Sequence, residues 1–157
     1  MATRKSPGAK KRTRKRIEPV VIGWREWVDL PDLGVTGVKA KIDTGARTSA
    51  LHAIGLVELD GGDRVRFDIR PRQRTRVGMA TVECDVVDRR HIRSSNGRTE
   101  VRPVIRTQLQ LAGVTKTIEL TLTNRDEMGF RMLIGRQALR RHFMIDPATS
   151  FRGAEAP

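Results

Sequence analysis

A chain of 157 residues is long enough for one domain with a modest core, and its 31 Lys and Arg against 18 Asp and Glu give a formal net charge of +13. One cysteine, Cys84, excludes an internal disulfide and a cysteine-based zinc cluster, and it fits a reducing compartment. No apolar run reaches the ~18 residues of a membrane span, and no secretory apolar core follows the basic N-terminus, so a soluble, cytoplasmic protein without membrane contact is expected.

The charge is uneven, because residues 1–16 hold eight of the basic residues and no acid. Such a run cannot bury apolar surface. Residues 1–17 are therefore expected to form a disordered basic tail, 18–152 the folded domain and 153–157 a disordered end. The tail is either a solvated aid to solubility or a contact for RNA, ribosome or an acidic polypeptide.

Four Phe, two Trp and no Tyr leave the core to Val, Ile and Leu, a mixture that favours strands. Residues 20–29 read as one strand with Ile22, Trp24 and Glu26 on one face and Gly23, Arg25 and Trp27 on the other. Turn chemistry at Leu30-Pro31-Asp32-Leu33-Gly34 sends the chain back through 35–42 to Asp43. Residues 49–59 read as the next strand, ending at the hairpin signal Asp60-Gly61-Gly62-Asp63. Val65, Phe67 and Ile69 then alternate with charged residues, and 71–78 is an arginine-dense loop. Residues 80–87 form a strand that holds Cys84 as a buried structural thiol. Within 89–102, the Asn96-Gly97 pair asks for a type I′ hairpin turn. Residues 104–111 and 115–124 make another hairpin, with Ile118, Leu120 and Leu122 inward. A short strand over 130–134, a helix over 136–142 and a strand over 143–147 complete the chain. Many short strands, glycine turns and one late helix predict an all-β closed barrel.

Two blocks carry chemistry. An alternating strand ends in Asp43-Thr44-Gly45-Ala46, which delivers a carboxylate to a tight turn where a glycine permits close approach. Met132-Leu133-Ile134-Gly135-Arg136 places Gly-Arg between an apolar strand and a helix-forming run. In this order the blocks resemble those of retropepsins, the retroviral-type aspartic proteases. With the run from Ile42 to His52 and Ser94-Ser95-Asn96-Gly97, they resemble a narrower bacterial and archaeal retropepsin-like family often labelled ATP-dependent zinc proteases. The resemblance covers roughly residues 20–151. It implies a retropepsin-like acid-protease barrel with a half-site per subunit, and an aspartic endopeptidase activity.

Peptide hydrolysis by that route uses two carboxylates sharing one proton, since two such groups roughly 3 Å apart cannot both ionise. One Asp-Thr-Gly per chain then calls for a two-fold homodimer in which Asp43 of each subunit meets on the axis. Asp85, Asp88 and Asp146 are alternative partners within one subunit, but none lies in a matching turn. The resemblance implies that Thr44 bonds across the dyad, Gly45 lets substrate backbone pass, and Ala46 keeps the cleft floor small. It implies further that Gly135 and Arg136 anchor the helix to the Asp43 loop, and that the hairpin bearing Ser95, Asn96 and Gly97 is a flap over substrate.

One residue departs from the viral pattern. Viral retropepsins follow Asp-Thr-Gly-Ala with an acid that pairs with the Gly-Arg arginine, whereas this chain has Arg47. Arg136 must find another acceptor, and Arg47 is free to face substrate, which suits acidic peptides. The narrower family is associated with glutamate-adding ATP-grasp ligases, which implies glutamate-rich tails as substrate. Neither half of the zinc label has a visible basis: His52, His91 and His142 are scattered, and no phosphate-binding Gly-x-x-x-x-Gly-Lys-Ser/Thr loop is present. No metal or other cofactor is assigned. The competing classes are a non-catalytic protease-like module that binds RNA, ribosome or an acidic protein, and a zinc hydrolase.

Overall fold

The computed structural model describes residues 15–72, 74–94, 96–124 and 129–157. Its strands are β1 (Val20–Gly23), β2 (Arg25–Leu30), β3 (Val35–Ile42), β4 (Ser49–His52), β5 (Ile54–Leu59), β6 (Arg64–Ile69), β7 (Ala80–Asp85), β8 (Asp88–Arg93), β9 (Thr99–Leu111), β10 (Val114–Thr123), β11 (Met132–Ile134) and β12 (Phe143–Asp146), with helix α1 (Arg136–Leu139) before the last. Strands β10-β4-β11-β3-β2-β9 follow one another around a sheet that closes through the β9–β10 pairing, giving one six-stranded barrel. The all-β closed barrel expected from the strand pattern is therefore present. No helix among the described residues is long and apolar enough to cross a membrane.

Inward positions of the barrel strands are aliphatic: Val28, Ala40, Leu51, Ile105, Leu109, Leu120 and Met132 are buried, as are the expected Ile118 and Leu122. Strands β5-β6-β7 form a separate antiparallel sheet whose Val65, Phe67 and Ile69 join the same core. Strand β8 extends the barrel sheet outward by pairing with the first half of β9, and β1 pairs in parallel with β12.

Several boundaries differ from those read in the sequence. Residues 20–29 are two strands, because the chain bends at Trp24, whose N–H donates to the Thr149 carbonyl at 3.0 Å while its carbonyl accepts from Ile42 N–H at 2.9 Å. A Cβ at Gly23 would lie 2.3 Å from the Thr149 oxygen, so a side chain there has no room. Residues 49–59 are likewise two strands in different sheets, β4 beside β10 and β5 beside β6, with Ala53 N–H bonded to Thr123 O at the break. The helix stops at Leu139 rather than 142: Arg140 turns to φ −46°, ψ 134° and Arg141 to φ 68°, which swings the chain into β12.

Glu26 explains how the C-terminal segment is fixed. It is fully buried, and its Oε1 accepts the N–H groups of Gly23 at 2.7 Å and Arg152 at 2.9 Å while Oε2 accepts that of Gly153 at 3.0 Å. A buried carboxylate is tolerable only when donors replace its water, and three backbone amides do so here. The end expected to be disordered from residue 153 thus begins inside a hydrogen-bonded segment.

Cys84 is half-buried rather than fully buried, opposite Val65 of β6. Burial, and then the Asp85 carboxylate, push its thiol from 9.0 up to about 11. A raised folded value means that the stabilisation tied to this thiol is present below pH ~9 and lost as pH climbs through ~11. At pH 8 the thiolate fraction is ~100-fold below that of an ordinary thiol. Alkylation of the native protein by iodoacetamide is accordingly expected to be about 100-fold slower than of the urea-unfolded chain, a ratio that mass spectrometry of quenched samples measures.

Candidate active site

The site arises where β3, β11 and β4 lie side by side. Strand β11 runs parallel to β3, with Ile134 opposite Ile42, and antiparallel to β4, with Met132 opposite Leu51. The segment from Asp43 to Thr48 must therefore cross over the end of β11 to reach β4. Gly135 and Arg136 emerge beneath that crossing. A Cβ at Gly135 would lie 2.4 Å from Thr48 O and 3.0 Å from Ala46 O, so only glycine lets the two backbones pack this closely.

Backbone bonds hold the loop on every side. Asp43 N–H donates to Ile134 O at 2.9 Å, and the first amides of α1, those of Arg136 and Gln137, donate to the Ala46 and Arg47 carbonyls at 2.8 and 3.1 Å. These amides are the ones a helix start leaves without intrahelical partners, so loop and helix satisfy each other. Gly135 N–H donates to buried Ser49 Oγ at 3.0 Å. Asp43 Oδ1 in turn accepts the amides of Gly45 at 3.0 Å and Ala46 at 3.2 Å. One carboxylate oxygen is thereby fixed in the turn.

The acceptor that Arg136 needs in place of an acid at position 47 is the loop backbone itself. Its Nη1 donates to both the Thr44 and Gly45 carbonyls, each at 3.0 Å. Lys116 supports the other end of the helix through a 2.7 Å bond from Nζ to Ala138 O; burial, and then the Arg140 charge, hold its pKa below the usual lysine range.

Asp43, Gly45, Ala46, Thr48 and Ala50 line a cavity of about 350 Å³, whose opposite wall is Ile92, Arg93 and Ser94 of the β8–β9 hairpin. Arg102, Thr121 and Leu133 complete the lining, and Asp43 is the one carboxylate among these described residues. The hairpin expected as a flap thus faces the Asp-Thr-Gly turn. Its turn closes through Gly97 N–H to Ser94 O at 2.9 Å and Ser94 N–H to Arg98 O at 2.8 Å, with Gly97 at φ 82°, so it is longer than the two-residue type I′ turn read from Asn96-Gly97. Asn96 and Gly97 lie at the exposed tip and do not line the cavity, and Ser95 lies outside the described residues. Arg47 is exposed and lines an adjoining groove of about 560 Å³ with Arg89, Arg90, His91 and Gln137.

The alternative acids lie elsewhere. Asp85 pairs with Arg64, Asp146 with Arg152, and Asp88 with Arg90, none of them in the cavity lining. The Arg89 amide, then the Arg90 side chain, hold the Asp88 carboxyl below its ordinary range. Among the described residues no group of three or more His, Cys, Asp or Glu is placed to share a metal ion. Sequence reasoning gave no site role to Ser49, Ile92 or Arg102. Ser49 and Ile92 carry no local signal; Arg102 does, as a charge immediately before the apolar run Pro103-Val104-Ile105.

A closed six-stranded barrel with an Asp-Thr-Gly turn gripped by a Gly-Arg helix start, under a β-hairpin, is a retropepsin-like barrel. The chain belongs to the RimB-like family, described as retropepsin-like aspartic endopeptidase RimB, which it matches over residues 21–155. It is 47% identical over 133 residues to a protein of Shewanella pealeana and 46% identical over 133 residues to one of Shewanella halifaxensis, both named probable alpha-L-glutamate ligase. Each match covers 83% of this chain but only 29% of the relative, so the chain spans under a third of the curated relatives it matches. A crystal structure of a Legionella pneumophila protein of unknown function superposes with a TM-score of 0.71 at 29% identity, covering 87% of this chain and all of that one.

Proposed function

We propose that this chain is an aspartic endopeptidase that works as a homodimer, with Asp43 of each subunit forming the catalytic pair, on acidic, glutamate-rich peptides. The observation that carries this reading is the solitary carboxylate: an open cavity of about 350 Å³ beneath a hairpin, with Asp43 the one carboxyl group among its described lining residues. One carboxylate supplies the general base, and the acid that polarises the scissile carbonyl must come from a second copy. Thr44 then meets its counterpart across the axis, and Gly45 and Ala46 form the floor over which substrate backbone passes. Arg47 and the groove it lines supply positive charge along the substrate's path. The name of the longer relatives, probable alpha-L-glutamate ligase, supports glutamate as the chemistry this segment meets.

Subunit mixing tests the shared site. Wild-type protein and Asp43→Asn protein, mixed in equal amounts and allowed to exchange, should retain about one quarter of the wild-type rate on a glutamate-rich peptide, because only one dimer in four keeps both acids. A retained rate of about one half would mean that each subunit acts alone, and would end the paired-acid reading. The net charge of +13 favours a second reading, a binding module for RNA, ribosome or an acidic protein. It predicts salt-sensitive binding with no hydrolysis of any peptide by the wild type.

A further inference from the structure

Two arginines lie directly opposite one another where the hairpin joins the barrel, Arg90 on β8 and Arg102 on β9. Arg90 is held by two carboxylates: its Nη2 is bonded to Glu119 and its Nε to Asp88 at 2.9 Å. Arg102 is not. It is 3% exposed, lines the Asp43 cavity, and leaves a buried Nε without a partner among the described residues. Its one ionic contact among the described residues is a 3.5 Å approach of Nη2 to Glu100 Oε2, the long limit of a hydrogen bond, and that carboxylate is 50% exposed.

A buried guanidinium is costly unless donors in its planar fork meet acceptors. An arginine held in a substrate cleft with part of its fork unused is shaped for a planar carboxylate, which takes two parallel N–H bonds at once. Glu100 lies two residues away on the same strand, hence on the same face as Arg102. Its loose contact neutralises the charge without filling the fork.

We infer that Arg102 is a specificity-determining residue that receives a carboxylate of the substrate peptide in the cleft beside Asp43, and that Glu100 stands in for that carboxylate when the cleft is empty. This rests on the reading of the cleft as a peptide-binding site and names the subsite within it. Substrate binding exchanges a weak internal ion pair for a bidentate one. The carboxylate could belong to a side chain or to a peptide C-terminus, and the probes below separate the two.

Binding is measured by fluorescence anisotropy on the full chain carrying Asp43→Asn, which does not turn over its ligand. The probes are N-terminally labelled, C-terminally amidated hexaglutamate and hexaglutamine, with hexaglutamine as its free acid for the terminal carboxylate. About 0.5 M salt suppresses exposed charges more than a desolvated site. Hexaglutamate amide is expected to bind tighter than hexaglutamine amide, and Arg102→Met should erase roughly 10–100-fold of that preference. Arg102→Lys should restore only part of it, since an ammonium lacks the fork. Glu100→Gln should tighten hexaglutamate several-fold, an effect in the opposite direction that loss of folding cannot mimic.

An unchanged glutamate preference in folded Arg102→Met protein overturns the inference. So does Glu100→Gln weakening the binding or leaving it unmoved. Tighter binding of the hexaglutamine free acid than of its amide, lost in Arg102→Met, assigns the subsite to a terminal carboxylate. Hydrolysis is scored separately on the wild type: Arg102-dependent selectivity without cleavage ends the endopeptidase reading and keeps the subsite, whereas cleavage indifferent to Arg102 does the reverse.

Discussion

Asp43→Asn is expected to lower peptide hydrolysis by roughly 10²–10⁴-fold while leaving the melting temperature nearly unchanged. The two outcomes separate because, in the proposed mechanism, the carboxylate has two jobs. Its Oδ1 accepts the Gly45 and Ala46 amides and so shapes the turn, and an asparagine Oδ1 accepts the same bonds. What the amide cannot do is hold or release a proton at the pH of catalysis. Asp43→Ala should lose hydrolysis equally and also cost about 1 kcal/mol, since both amides then turn to water. Initial rates at matched protein concentration, with thermal melts of the three proteins, provide the comparison; a folded Asn variant that cleaves at the wild-type rate removes Asp43 from the chemistry.

The largest loss of stability is expected at Glu26, which does not line the cleft. Glu26→Ala leaves the amides of Gly23, Arg152 and Gly153 facing a space with no acceptor, at a cost of about 3–5 kcal/mol. Glu26→Gln keeps one oxygen for Gly23 and Arg152 but sets an NH₂ group against the Gly153 amide, donor against donor, for about 1–3 kcal/mol. Urea unfolding orders the three proteins, and hydrogen exchange should show the amides of residues 149–153 losing protection first. Equal stability of the alanine variant would mean that the C-terminal segment is held by the aromatic stack of Trp27 on Phe151, 5.0 Å apart, and not by the carboxylate.

These expectations also mark where the sequence was informative. The alternation into Asp43 and the Gly135-Arg136 pair were legible because strand period, turn glycine and helix start are local properties of neighbouring residues. The breaks at Trp24 and Ala53 were not. Residues 20–29 and 49–59 contain no proline and keep their apolar pattern, and each bend is imposed by a distant partner, Thr149 in one case and Thr123 in the other. The early end of α1 has the same cause, since β12 must reach β1. Glu26 read as one more face-sharing residue because its three donors come from chain positions that sequence does not connect. Arg102 read as the end of a surface hairpin, although a charge at the head of a buried apolar run signals a site that has to be filled.

The grip of Arg136 on the Thr44 and Gly45 carbonyls has a consequence for acidity. Where a carboxylate clasps the equivalent guanidinium, acid can protonate the clasp and loosen the loop; a peptide oxygen has no such proton to gain. The scaffold under Asp43 is in this respect blind to pH, so the acid limb of a rate profile would report the reacting groups and the substrate rather than the mount that carries them.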